Sequence, residues 1–489
     1  MVSFKKDIAS GVMYTAIAKY SSMALQLVVT AILARILCPS DYGAIAIVTV
    51  FINFFNILGD IGIGPAIIQN KKLEEEDIES IFSTTIYMGG LLCIIFASCA
   101  STISSYYNND TLYEICLWLS LLIFAYCASI VPQNLLYKEK KFKLISISSF
   151  CINCLTGVVS IAAAYMGCGI YALVLSQLLS AFATTLFYYS QKRIRFRFIP
   201  KTLALKKIMS FSIFQFLFNL VNYFGRNTDK MLVGRYLGMA ELGYYEKSYR
   251  LMMLPLQNIT FVISPVLLPV FSGLQDNPHE VGNKYFKMLK LLAYLAFPLS
   301  VILYFCSGEL VLCFFGEQWH GAISPFRILT LTVGLQILTS TTGAIFQSIN
   351  RTKQMFYSGL CGALFMITSF IITLNLWGTT DSVAYGYLVA QLLNTIQCFY
   401  LIAHSLGYKL INLINILWKP MIVSIVLTVL YLIFISMISV ENVFLGLVVK
   451  GIWGVMVSLA IIQIVGEINI INIIKNKIGF VSPEGRYEL

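Results

Sequence analysis

The residues in this chain that could do chemistry are charges placed inside long apolar stretches. Nine lysines and arginines fall within or at the ends of such stretches: Lys19, Arg35, Arg226, Lys230, Arg235, Lys247, Arg250, Arg327 and Lys450. The acids Asp60, Asp229 and Glu246 join them. A charge in hydrocarbon is expensive and usually faces a wet cavity or a partner. Seven of the nine cations, and all three acids, lie in four stretches, 10–36, 43–68, 208–236 and 243–272. Helical spacing aligns them with other polar residues. Lys19, Ser22, Gln26 and Thr30 form one stripe, and Asn53, Asn56 and Asp60 a second. Asn219, Asn222, Arg226, Asp229 and Lys230 form a third, and Glu246, Arg250 and Gln257 a fourth. Four polar stripes predict one central hydrophilic cavity.

At about 1.5 Å of rise per residue, Arg35, Arg226, Asp229, Lys230, Arg235, Glu246, Lys247 and Arg250 fall toward the outer half, and Lys19 and Asp60 deeper. The outer group holds six cations and two anions. That surplus suits binding of a polyanionic group such as a pyrophosphate, with guanidinium forks supplying bidentate hydrogen bonds. The acids Asp60, Asp229 and Glu246 are candidates for coupling or gating. Local pairing is the alternative: Arg226 with Asp229 and Glu246 with Arg250 have i,i+3 and i,i+4 spacing, and Arg35 and Arg235 could snorkel to the interface.

The elements that position these charges follow from composition. Of the 489 residues 58% are apolar, about 284, and only 12% are charged. A membrane-spanning helix needs about 20 mostly apolar residues, so fourteen need about 280. A water-soluble enzyme, a nucleic-acid-binding protein and a disordered chain are excluded. Spans are expected at 10–36, 43–68, 81–104, 112–136, 144–166, 170–190, 208–236, 243–272, 287–305, 321–349, 355–377, 382–404, 416–438 and 443–468. With the N-terminus in the cytoplasm, every basic residue outside the nine falls in a cytoplasmic segment or, for Lys287, Lys290 and Lys419, at the cytoplasmic end of a span; they include Lys5, Lys6, Lys71, Lys72, Lys138, Lys140, Lys141, Lys143, the 191–207 loop, Lys475, Lys477 and Arg486. The predicted outside loops hold none, which fixes both span count and orientation. Most of the net charge of +11 is therefore an orientation signal beside anionic lipid heads.

The long basic loop suggests a boundary, and an internal repeat supports it. Ala34-Arg35-Ile36-Leu37 through Asp41-Tyr42-Gly43 lines up with Gly234-Arg235-Tyr236-Leu237 through Glu241-Leu242-Gly243 at an offset of 200, and Pro65 meets Pro265. Tyr171-Ala172-Leu173 and Gln177-Leu178-Leu179 match Tyr385-Gly386-Tyr387 and Gln391-Leu392-Leu393. The expected fold is an all-α integral membrane protein of about 14 helices. An N-lobe (1–190), a basic cytoplasmic loop (191–207) and a C-lobe (208–405) are followed by two further helices and a cytoplasmic tail (406–489). Two six-helix copies run the same way and are related by a twofold axis along the membrane normal. No cofactor or metal is expected. Cys151 and Cys154 have CxxC spacing without a second pair, His279, His320 and His404 are scattered, and no P-loop occurs. The glycines of GDIGIGP (59–65) are expected to permit close packing or bending of the second span.

The stretch LARILCPSDYGAIAIVTVFINFFNILGDIGIGPAIIQ (33–69), together with NTDKMLVGRYLGMAELGYYEKSYRL (227–251), resembles the polysaccharide-exporting branch of the multidrug/oligosaccharidyl-lipid/polysaccharide (MOP) superfamily. The resemblance implies a Wzx-type flippase. Such a protein moves undecaprenyl-pyrophosphate-linked sugar repeat units across the bacterial inner membrane for O-antigen, capsule or exopolysaccharide assembly. It would act without a cofactor, in the company of a polysaccharide polymerase and chain-length machinery. The resemblance also implies a cavity lined by spans one, two, seven and eight and a lipid-tail groove at the last two spans; Arg35 and Asp60 match the family's arginine and second-span aspartate. Two alternatives stand beside it: a multidrug or cation antiporter of the same superfamily, which would present acidic or aromatic groups, and a membrane polysaccharide polymerase or ligase, which would need a larger outside domain than 306–320.

Overall fold

The computed structural model describes residues 2–70, 73–199, 220, 223–275, 277–438 and 440–465. Expectations for the side chains of Lys5 and Lys6, for Lys71 and Lys72, for 200–219 and Asn222, for the side chain of Pro265, and for the tail with Lys475, Lys477 and Arg486 lie outside them.

Among the described residues every regular element is helical and there is no strand. This follows from the solvent: in hydrocarbon a spanning backbone must satisfy its own hydrogen bonds. The helices are α1 (Val2–Ile36), α2 (Pro39–Asp60), α3 (Ile63–Gln69), α4 (Glu75–Ser98), α5 (Ala100–Tyr107), α6 (Thr111–Lys138), α7 (Phe142–Tyr165) and α8 (Tyr171–Gln191). Then come α9 (223–236), α10 (Met239–Ser272), α11 (Pro278–Phe305), α12 (Ser307–Phe315), a 3-10 turn (Glu317–Ala322) and α13 (Ile323–Thr339). The chain continues as α14 (Thr342–Ser348), α15 (Thr352–Trp377), α16 (Thr380–Ser405), α17 (Leu410–Met437) and α18 (Val443–Val465). Among the described residues eleven stretches are long and apolar enough to cross a membrane, at expected spans two to six and nine to fourteen. The first and eighth spans lie on α1 and α10, of 35 and 34 residues.

Several elements depart from single straight spans. The second breaks at Ile61 and Gly62, both left-handed at φ 37° and 77°, where the Asp60 carboxylate accepts the Gly64 N–H at 3.1 Å. Close packing contributes too, because a Cβ at Gly64 would come within 2.9 Å of Asn134 Nδ2. The ninth span starts earlier than its apolar run, at Pro278, because Asn277 caps it by accepting the Glu280 N–H at 3.2 Å. The expected loop at 306–320 is itself mostly helical, as α12 and the 3-10 turn.

Contacts divide the chain into two compact units. The first comprises 1–247, 314–321 and 370–383, and the second the remainder. In the first, α4 packs along α6 and α1 along α7. In the second, α11 packs on α13 and α17, and α17 on α18. The second unit holds Arg327 and Lys450, the two of the nine cations outside the four charged stretches. Lys450 pairs with Glu309, and the Tyr431 hydroxyl donates to the Lys450 carbonyl at 2.8 Å. Arg327 donates through Nε to Ser307 Oγ at 3.0 Å and lies 5.8 Å from the Tyr304 ring centroid. Charges at those depths are thus held by local partners.

Candidate functional site

The two halves of the sequence repeat meet inside the first unit. Pro39 begins α2 after the extended residue Cys38, whose N–H donates to Asp41 Oδ2 at 3.2 Å. Met239, the repeat counterpart of Pro39, begins α10 after Gly238 at φ 91°. One turn into each helix stands a glycine, and the two glycines pack reciprocally. A Cβ on Gly43 would overlap the Met239 carbonyl oxygen, and a Cβ on Gly243 would overlap the Pro39 carbonyl oxygen. The same Gly43 Cβ would stand 3.1 Å from the Gly243 nitrogen. Only residues without a side chain allow two helix starts to cross this closely.

The 3-10 turn closes over this crossing. Trp319 is fully buried, and its indole Nε1–H donates to the Ala34 carbonyl at 2.7 Å, at the end of α1. Gln318 Nε2 donates to the Leu37 carbonyl at 3.2 Å. The Trp319 ring meets Tyr42 and Tyr244 edge-on, with centroids 5.5 and 6.0 Å apart. Gly321 allows the approach, since a Cβ there would fall 2.6 Å from a Tyr244 ring carbon.

Against the same aromatic group lies Lys247, 1% exposed. Its Nζ is 3.4 Å from the Tyr42 ring centroid, 5.2 Å from Phe315 and 5.5 Å from Trp319. Aromatic ring faces supply negative quadrupole density, which stabilises an ammonium taken out of water. One residue earlier, Glu246 turns to α9 and pairs with Lys230, Oε2 to Nζ at 2.7 Å. Asp229 is also buried and accepts from the Tyr245 hydroxyl at 2.9 Å. Arg235 lies 4.8 Å over the Tyr106 ring.

The remaining sequence candidates are more open. Arg35 and Arg226 are exposed, and Lys19 is partly so. Asp60 is held at the helix break described above. Arg250 is exposed and belongs to the second unit. Beside α9 is an apolar cavity of about 300 Å³, lined by Val50, Phe51, Phe54, Ile103, Tyr223 and Phe224 among others.

The cations of the first unit therefore fall into two kinds. Lys230, Arg235 and Lys247 sit on carboxylate or aromatic partners near the glycine crossing, whereas Arg226 is exposed. Partnered cations can hold one conformation together; an exposed guanidinium can take an anionic ligand. Sequence reasoning missed the aromatic participants Tyr42, Tyr244, Phe315 and Trp319. The signal available was the repeat itself, which marks Tyr42-Gly43 and Leu242-Gly243 as equivalent positions.

Comparison with known proteins gives the family. A family described as polysaccharide biosynthesis protein matches residues 32–324. The chain is 24% identical over 426 residues to the teichuronic acid biosynthesis protein TuaB of Bacillus subtilis, covering 87% of this chain and 88% of that protein. It is also 24% identical over 426 residues to the lipopolysaccharide biosynthesis protein WzxC of Escherichia coli, covering 86% of each. Among solved structures, the lipid II flippase MurJ in an inward closed conformation superposes with a TM-score of 0.74, covering 92% of this chain and 98% of that one at 17% identity. With the fold of a lipid flippase and a match over more than half its length, the chain belongs to the polysaccharide biosynthesis protein family of multi-pass membrane proteins.

Proposed function

We propose that the protein is a flippase that moves undecaprenyl-pyrophosphate-linked sugar repeat units from the cytoplasmic to the outer leaflet, for O-antigen, capsule or exopolysaccharide assembly. The observation that carries this reading is the set of cations on α1, α9 and α10, with α10 and the cation-free α2 crossing at the reciprocal glycines, in a chain of the polysaccharide biosynthesis family. It is a transporter, not an enzyme, in keeping with its likeness to a succinoglycan biosynthesis transport protein and to a lipid II flippase. It resides in the bacterial plasma (inner) membrane with both termini cytoplasmic, and delivers its product to a polymerase and chain-length machinery.

The cycle is alternating access by two lobes, 1–190 and 208–405, with 191–207 joining them and 406–489 supplying the last two helices and tail. The sugar and pyrophosphate head enters from the cytoplasmic side while the polyprenyl tail stays in lipid. Lys19, Arg226 and Arg250 hold the anionic head, and Lys230, Arg235 and Lys247, with Arg35 at the rim, become available as the crossing of Gly43 and Gly243 opens. Asp229 and Glu246 release and retake their partners in that step, and Asp60 holds the break in the second span. An inside-negative potential favours outward movement of a negative head by about 2.3 kcal/mol per charge per 100 mV. A cationic drug would meet arginines first, so an antiporter reading is disfavoured.

Complementation tests this reading. In cells lacking their own flippase, the wild-type gene should restore surface polysaccharide and clear the accumulated lipid-linked repeat unit. Arg226→Ala with Lys230→Ala should do neither at normal membrane level. Export by that double variant would remove these two residues from the mechanism.

A further inference from the structure

The segment after α8 carries a feature that transport does not require. Residues 192–199 leave the helix and run along the cytoplasmic-side ends of the first unit, pinned at every second or third residue. Lys192 pairs with Glu139, whose carboxyl is held below the usual range by that lysine's hydrogen bond. Ile194 is buried in an apolar cluster with Ile67, Phe82 and Val131. Arg197 Nε binds Glu79 at 2.7 Å and its backbone N–H donates to Ser83 Oγ at 2.7 Å. The Phe198 carbonyl accepts from the Tyr87 hydroxyl at 3.0 Å, and Phe196 packs edge-on against Tyr87, centroids 5.4 Å apart.

These anchors give the segment a direction. Glu79 lies one turn into α4 and Tyr87 eight residues further, about 12 Å along the helix. The strap thus descends from the charged start of α4 toward the hydrocarbon. What it leaves uncovered changes with depth. Arg193 and Arg195, at the upper end, are exposed, and among the described residues neither has a carboxylate in ion-pair range. At the lower end Phe198 is 82% and Ile199 88% exposed. The Phe198 carbonyl is bonded to Tyr87, from which Leu91 and Ile94 continue an exposed apolar stripe along α4. A soluble polyanion would satisfy the arginines but not the apolar end; a zwitterionic lipid would satisfy the apolar end but offset its phosphate with its own cation.

We propose that residues 193–199 form a docking surface for anionic phospholipid of the cytoplasmic leaflet, with Arg193 and Arg195 on the headgroup phosphate and Phe198 and Ile199 among the acyl chains. Each basic residue near an anionic membrane surface is worth about 1 kcal/mol, or about fivefold in local lipid preference. The surface selects the lipid around spans three and six and is distinct from the transport cations.

The test needs no transport and so stands apart from the flippase reading. Full-length protein carrying Phe198→Trp is placed in phosphatidylcholine vesicles containing phosphatidylglycerol, and either lipid is brominated in turn. The quenching of the added tryptophan is read by difference from protein with Phe198 intact. Brominated phosphatidylglycerol should quench at least severalfold more, at equal mole fraction, than brominated phosphatidylcholine. Adding Arg193→Gln and Arg195→Gln should bring the two quenchers to equality while both still quench, which also shows the strap in place. Equal quenching by both lipids with the arginines present would reduce the segment to a structural staple and overturn the proposal. Absence of quenching by either would show that Phe198 does not face lipid, with the same result.

Discussion

Replacing Gly43 by alanine is expected to abolish polysaccharide export while leaving the protein in the membrane. The reason is local and steric. The new methyl would occupy the place of the Met239 carbonyl oxygen, and a backbone atom at a helix start cannot swing aside as a side-chain tip can. Inserting one carbon into a filled contact typically costs about 1–3 kcal/mol. At about 1.4 kcal/mol per tenfold, that moves a two-state equilibrium about 5- to 150-fold away from the closed crossing. Gly243→Ala should do the same, because its methyl meets the Pro39 carbonyl. The double variant should lose little beyond either single one, since each already breaks the one shared contact. Gly90→Ala, with open space around it, is the control and should export normally. Normal export by Gly43→Ala would remove the crossing from the transport cycle.

The second large effect is expected at Trp319. Truncation to alanine removes a fully buried indole, its hydrogen bond to Ala34 and its edge contacts with Tyr42 and Tyr244. Large-to-small changes of buried aromatics cost about 3–5 kcal/mol. Here the loss also uncovers Lys247, whose ammonium would keep Tyr42 and Phe315 but lose one wall. The purified Trp319→Ala protein should melt several degrees lower and export poorly. Trp319→Phe, which keeps the packing but not the Nε1–H, should lie between. Wild-type melting and export for the alanine variant would show that the turn is not part of the closed arrangement.

These residues show what can be read from a sequence of this kind and what cannot. Apolar runs located the spans because hydrocarbon demands length and composition from every crossing helix. The glycines at 59–65 marked the second span as bent or closely packed, and it is both. The repeat at offset 200 identified Gly43 and Gly243 as equivalent, but equivalence does not say that two positions touch. Spacing along one helix suggested Arg226 for Asp229; instead Asp229 takes the Tyr245 hydroxyl, and Lys230 takes Glu246 from the next helix. Sequence periodicity carries only neighbours on the same helix, and these partners are set by how α9 and α10 fold back. It likewise placed Glu246 and Lys247 side by side without separating the carboxylate that turns to Lys230 from the ammonium enclosed by rings. Trp319 was unreadable for a different reason. A lone tryptophan in a polar loop ordinarily anchors at the membrane interface, and only the folded turn brings it against Ala34.

Movement in a purified system is the sharpest check that this protein carries a lipid-linked sugar head across a bilayer. Protein reconstituted in sealed vesicles with an undecaprenyl-pyrophosphate-linked oligosaccharide should expose the sugar, over time, to an impermeant lectin or glycosidase on the far side. Empty vesicles should not, and the Arg226→Ala and Lys230→Ala double variant should behave like empty vesicles. A sugar that stays in its starting leaflet despite folded, reconstituted protein would contradict the account.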